Sequence, residues 1–235
     1  MSSGGDRTLV VLARWPGNPI LSPRPGCFWE AWGTFNPAAF SYGGKVYLLY
    51  RQISRSGIST FGLAVLGGGF EVLERECEPV YVPRESFEVY PSYERYIRAD
   101  DEVELIVSKL SKIPEPHDLR KGCSLFGVED PRVTVIDGKL YVTYTAYNGV
   151  DFPRGVISWI DLKDFLERRW DRWSRPLVVT PPKVADKSVV MLPGRIRGKL
   201  VFFPQDFPAY MGRLRREYRG VLKGALPLGK TCNQD

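Results

Sequence analysis

The chain holds a single histidine, His117, among 235 residues. A catalytic histidine backed by a second, metal-bound histidine is therefore ruled out. His117 sits among Pro114, Pro116 and Asp118 and reads as a loop residue. The four cysteines, Cys27, Cys77, Cys123 and Cys232, lie far apart with no Cys-x-x-Cys pair, so a metal site has no support. No apolar run approaches the ~18 residues of a membrane-spanning helix, and no membrane partner is expected. Residues 1–6 are small and polar, with no basic stretch leading into an apolar one. No secretory signal is read, the expected location is cytoplasmic, and free buried thiols are the default there. Long helical periodicity is nearly absent too.

What is present is apolar and aromatic. Hydrophobic residues make up 43% and aromatics 13%, too rich for a disordered chain and enough for a sizeable core. The net charge of +6 suits a soluble chain with excess arginine, or a site for an anion such as phosphate. Basic residues are scattered and cluster only at Arg213, Arg215, Arg216 and Arg219, so nucleic acid is not an expected partner.

Short β-branched or aromatic runs read as strands: Val46 to Tyr50, Val103 to Val107 and Leu140 to Tyr144. Each follows a turn, at Gly43-Gly44, Asp100-Asp101 and Asp137-Gly138. Asp161 to Trp173 fits a turn or two of helix, or an outer strand with a decorated loop. A repeat underlies the pattern. Asn36 runs into Gly44-Lys45-Val46-Tyr47, Asp130 into Gly138-Lys139-Leu140-Tyr141, and Lys187 into Gly198-Lys199-Leu200-Val201. Each copy is a polar residue, a strand, a Gly-Lys turn and a second strand. Repeated units of this kind predict a β-propeller, with a β-sandwich of similar hairpins as the competing architecture. In a propeller the innermost strands line one channel, so Asn36, Asp130 and Lys187 are expected to face one another.

The densest motif is Gly127-Val128-Glu129-Asp130-Pro131-Arg132, continuing into the hairpin that ends at Tyr147. With Trp32 to Arg51, Ser59 to Val65 and Lys187 to Pro193, it resembles glycoside hydrolase family 130, the five-bladed β-propeller mannoside phosphorylases and β-mannosidases. The resemblance covers roughly residues 14 to 205. It implies that Asp130 is the acid, relaying its proton through a sugar hydroxyl. It implies that Asn36 and Arg51 hold the sugar, and that inorganic phosphate is the co-substrate with no cofactor. The products would be mannose 1-phosphate, formed with inversion, and the released sugar. On the residues alone, a carboxylate before a proline is preorganised to deliver a proton to a leaving oxygen, or else is a turn aspartate. Glu129, next along a strand, is expected to point away from Asp130, as a structural residue or a sugar hydrogen-bonder. Lys187 and, less closely matched, Arg154 are the phosphate candidates; Arg132 is left open. Trp29, Trp32, Tyr90 and Tyr93 are either sugar platforms or packing.

The sequence also departs from the family. The family's chains are longer, and its phosphate-binding His-Arg pair after the fourth-blade turn is replaced here by Phe203-Pro204-Gln205-Asp206. Back-translated and read one base later, Pro204 to Gly212 permits His-Arg-Ile-Ser-Pro-His-Ile-Trp. The expectation is therefore an incomplete propeller of about three to four blades over residues 1–203, followed by an aberrant basic tail, 204–235, in a shifted frame. A β-mannoside phosphorylase is the first functional reading. A β-mannoside hydrolase and an inactive carbohydrate-binding propeller fragment are the alternatives, and this copy is expected to have little activity. The acceptor sugar, the linkage and the oligomeric state, a homo-oligomer included, stay open.

Overall fold

Three two-residue turns set the architecture. Gly43-Gly44, Asp137-Gly138 and Arg197-Gly198 all take positive φ at both positions, between 51° and 76°. That is the geometry of the tight hairpin whose twist matches that of its strands, and glycine or aspartate adopts it at little cost. The Gly-Lys repeat is thus the same turn used three times.

The computed structural model describes residues 13–98, 100–116, 124–181 and 185–204. His117, Cys123, Cys232 and the tail from Gln205 onward, with the shifted-frame expectation placed on it, lie outside these residues. The first unit is a four-stranded antiparallel meander: β1 (Gly33–Tyr42), β2 (Lys45–Ile53), β3 (Ile58–Leu66) and β4 (Val72–Arg75). Two short helices follow, α1 (Pro91–Glu94) and α2 (Val103–Leu110). The second meander is β5 (Phe126–Ile136), β6 (Lys139–Tyr147), β7 (Arg154–Asp161) and β8 (Leu177–Val178). Helix α3 (Leu162–Leu166) and a 3₁₀ turn at Trp170–Arg172 lie between its last two strands, and this decides the alternative left open for Asp161 to Trp173. A third unit begins as β9 (Val190–Met191) paired with β10 (Phe202–Phe203). The fold is all-β: two complete four-stranded blades and the start of a third. Among the described residues the sheets do not close into a ring.

The blades are joined at one point. Ile58 and Ser59 of β3 pair in parallel with Phe126 and Gly127 of β5. Gly127 has φ +124°, and a Cβ there would lie 2.1 Å from the Ser59 carbonyl oxygen. Only glycine permits this approach. The main core then fills the space between blades, with Leu49, Phe61 and Leu63 of the first packed with Val142, Tyr144, Val156, Phe165 and Trp173 of the second. A smaller cluster, Ile136, Tyr141, Ile157 and Met191, ties the third unit to the second.

Two sequence expectations fail. Val103 to Val107, read as a strand after the Asp100-Asp101 turn, is helix α2. Val103, Ile106, Val107 and Leu110 follow helical spacing, and all four are buried against Ile58, Val82 and Phe126. Cys27 and Cys77 are not free thiols but form a disulfide that ties the approach to β1 to the end of β4. Beside it, the fully buried Glu30 accepts from Arg24 (2.9 and 3.0 Å), Arg75 (2.7 and 3.2 Å) and the Tyr50 hydroxyl (2.6 Å). That network anchors the face of β2 opposite Arg51.

Candidate active site

Proline inside a strand removes a ladder donor, so Pro37 in β1 and Pro131 in β5 should mark irregularities. Both do. The register of β1 slips between Phe35 and Ala38, and that of β5 between Glu129 and Arg132. The residue before each proline carries the bulge in a left-handed conformation: Asn36 at φ 44° and Asp130 at φ 53°. Asn and Asp are the non-glycine residues that tolerate this best. A bulge re-aims a side chain out of the strand's alternation, and here two bulges on neighbouring blades aim at one another. The Asn36 amide nitrogen donates to Asp130 Oδ1 at 2.7 Å.

Arg51 organises the space beneath. Its Nε donates to Ser59 Oγ at 2.9 Å, and its Nη2 to Ser124 Oγ and Glu129 Oε1, both at 2.9 Å. Its Nη1 reaches Asp130 Oδ1 at 3.5 Å. The guanidinium is buried, so these bonds are made in a low-dielectric setting. Both donors to Asp130 meet Oδ1. Among the described residues, nothing is hydrogen-bonded to Oδ2, on a side chain that is 26% exposed. Glu129 is 4% exposed and also faces Lys187, whose Nζ lies 3.5 Å from Oε2. Burial alone would raise the Glu129 pKa. The charges of Arg51 and Lys187 and the hydrogen bonds from Ser124 and Lys187 outweigh it and hold the carboxylate below the ordinary glutamate range.

Lys187 arrives from the third unit, fixed by its backbone. Thr145 Oγ1 donates to the Lys187 carbonyl at 2.6 Å and Thr143 Oγ1 to that of Val189 at 2.7 Å. The structure thus brings Asn36, Arg51, Glu129, Asp130 and Lys187 into one cluster. Glu129 does not point away from Asp130: the bulge cancels the strand alternation and both carboxylates turn toward Arg51. Arg154 is not drawn in. Its Nη2 donates to the Thr180 carbonyl at 3.4 Å, and its buried Nε has no partner among the described residues. Arg132 extends past the cluster to Ser188 Oγ at 3.3 Å. Of the aromatic candidates, Trp29 is buried in the core and Tyr93 packs on Phe126. Trp32 donates from its indole nitrogen to the Arg55 carbonyl. Ser59 and Ser124 received no role from the sequence. The available signal was a hydroxyl residue inside a wholly buried strand, as Ser59 is in β3.

The fold is a partial propeller that presents a bulged Asn, a bulged Asp and a buried Arg at its blade junction. Comparison with known proteins finds similarity to one family. The profile of glycoside hydrolase family 130, described as β-1,4-mannooligosaccharide phosphorylase, matches residues 112–211. The β-1,2-mannobiose phosphorylase of Thermoanaerobacter sp. (strain X514) is 28% identical, with 84% of this chain and 55% of that protein covered. The 1,2-β-oligomannan phosphorylase of the same organism is 25% identical, covering 85% and 55%. Among solved structures, a glycosyl hydrolase from Bacteroides ovatus superposes with TM-score 0.52 at 22% identity, over 80% of this chain and 50% of that one. Over these residues the chain is similar to glycoside hydrolase family 130. It spans about half the length of the curated relatives it matches.

Proposed function

We propose that this protein is a glycoside phosphorylase that cleaves β-mannosides with inorganic phosphate, releasing mannose 1-phosphate with inversion. The observation carrying the reading is the 2.7 Å contact between Asn36 and Asp130, two bulged inner-strand residues on adjacent blades, with Arg51 beneath. Asp130 acts as the acid. Oδ1 is held by Asn36 and Arg51, so Oδ2 is the oxygen that passes its proton, through a sugar hydroxyl, to the departing oxygen. Asn36 and Arg51 provide directional donors to the sugar, and Lys187 provides positive charge for phosphate. Arg154 is the weaker phosphate candidate, being committed to Thr180.

Phosphorolysis is favoured over hydrolysis by the second carboxylate. An inverting hydrolase needs a carboxylate base to activate water. Glu129 is buried and occupied by Arg51, Ser124 and Lys187, which leaves it poorly placed for that task. Phosphate brings its own nucleophilic oxygen and needs no such base. The names of the two Thermoanaerobacter relatives point the same way. The reading takes phosphate as co-substrate, with no cofactor and no nucleic-acid partner. Among the described residues, no helix is long and apolar enough to cross a membrane. The cytoplasmic location expected from the N-terminus stands against the Cys27–Cys77 disulfide, a bond uncommon in reducing compartments.

The test is phosphate-dependent release of mannose 1-phosphate from β-mannobioses. It is run on the 235-residue chain and on the gene product read one base later after codon 203. Asp130→Asn keeps size and hydrogen bonding but cannot donate a proton as an acid, and should cost about 10²–10⁴-fold in rate. Equal turnover without phosphate would establish the hydrolase instead. Full activity in Asp130→Asn would remove the acid assignment.

A further inference from the structure

An arginine carries five N–H groups, and the fold spends three of those on Arg51 before any ligand arrives. Nε donates to Ser59 Oγ, and Nη2 donates to Ser124 Oγ and to Glu129 Oε1, all at 2.9 Å. We infer that Ser59 and Ser124 are positioning residues: they fix the plane of the Arg51 guanidinium, so that Nη1 is the end it turns to the sugar. The inference rests on the reading of Arg51 as a sugar-holding residue, and it gives a role to two residues that reading left without one.

Both hydroxyls stand where a polar partner is needed to justify them. Ser59 is 0% exposed in β3, a strand buried along its whole length, and Ser124 is 6% exposed. A hydroxyl buried among apolar groups costs stability unless it is hydrogen-bonded. Among the described residues, the partner of the Ser59 hydroxyl is Arg51 Nε. Ser124 accepts from Arg51 and donates its own hydrogen to Glu129 Oε1 at 2.9 Å, using a hydroxyl's capacity to do both at once. The blade junction holds both backbones. Ser59 pairs in parallel with Gly127, and the nitrogen of Leu125, next to Ser124, donates to the Gly57 carbonyl at 2.7 Å. The guanidinium is thus gripped at two of its three nitrogens by a frame that joins the two blades. Nη1 is left, with Asp130 Oδ1 at 3.5 Å as its contact among the described residues. A planar fork held at Nε and Nη2 loses its rotation about the side-chain axis, so the donors of Nη1 keep one direction.

The first arm of the test reads Arg51 itself and needs no substrate. The full 235-residue chain is labelled with ¹⁵N-arginine and studied by NMR, with Arg51→Lys identifying the Arg51 signals. Ser59→Ala should speed hydrogen exchange of the Arg51 Nε–H by about 10-fold or more, the effect of losing a hydrogen bond to a charged group. Ser124→Ala should free rotation of the guanidinium and merge its separately resolved Nη hydrogens. Ser124→Thr keeps the hydroxyl and should restore them. The second arm is calorimetric titration with a β-mannobiose. Both alanine variants should bind it about 10-fold or more weakly than wild type, with Ser124→Thr near wild type. Arg51 signals unchanged in both alanine variants overturn the inference, whatever the melting temperatures; a purely structural role gives that result. Affinities within about 2-fold of wild type overturn it equally, since the serines would then hold Arg51 without serving the sugar. Should Ser59→Ala not fold, Ser124→Ala decides alone. A wild-type chain that binds no mannobiose refutes the sugar-holding reading of Arg51, and the first arm still decides whether the two serines fix its plane.

Discussion

Arg51→Lys separates the charge of the central cation from its shape. The wild-type guanidinium makes four contacts in three directions: Ser59, Ser124 with Glu129, and Asp130. A lysine ammonium retains the charge but concentrates its donors at one point. Placed near Glu129 and Ser124, it abandons the Ser59 bond made from Nε and the reach to Asp130 made from Nη1. Hydrogen bonds to charged groups contribute about 1.5–3 kcal/mol each. Asp130 is partly exposed and recovers some of its loss from water, so the net cost should be about 2–4 kcal/mol. At about 2–4 °C per kcal/mol for a domain of this size, Arg51→Lys should lower Tm by about 4–16 °C. Calorimetry at pH 7 checks it, with Lys187→Ala as the comparison because that side chain is 47% exposed and should cost little. A Tm within about 2 °C of wild type for Arg51→Lys would show that charge alone, not the fork, holds the site together.

Two further outcomes follow from buried groups elsewhere. Burial raises the pKa of Glu88 despite hydrogen bonds from Tyr144 (2.5 Å) and the backbone nitrogens of Arg84 (2.8 Å) and Glu85 (3.0 Å). A raised folded-state pKa stabilises fully below the unfolded value and loses that contribution as pH rises through the folded value. Glu88→Gln, which mimics the protonated acid, should therefore gain stability relative to wild type in urea titrations as pH climbs from about 4 toward 8, and a difference independent of pH would refute this. Gly127→Ala combines a backbone conformation reserved for glycine with a Cβ placed 2.1 Å from the Ser59 carbonyl. It should destabilise by roughly 2–5 kcal/mol, and a wild-type melting curve would show that the blade junction is not as tight as described.

Much of the fold was legible because the turns announce it. Gly43-Gly44 and Asp137-Gly138 fall between apolar alternations, and the strands flanking them form where the residues say they should. The α2 segment was misread through composition. Its β-branched residues suggest a strand, yet Val103, Ile106, Val107 and Leu110 already carry helical spacing, and packing on Phe126 and Ile58 rewards that spacing. The Cys27–Cys77 bond had no local signal, because its partners are 50 residues apart and meet only once β4 lies along β3.

The site was half legible, and the missing half has a single cause. Strand alternation assigns Glu129 and Asp130 to opposite faces, and it also gives no reason for Asn36 to leave its own ladder. The prolines at 37 and 131 break that logic by withdrawing a ladder donor, and the bulges they accompany turn Asn36 and Asp130 toward each other. Once the strand is bulged, Glu129 need not alternate, and the nearest compensation for its buried charge is Arg51. The same residue pair, polar then proline, in two repeats at the same distance from the turn was therefore the signal of a shared site. It specifies a bulge at each blade entrance, and two facing bulges bring residues 94 positions apart within 2.7 Å.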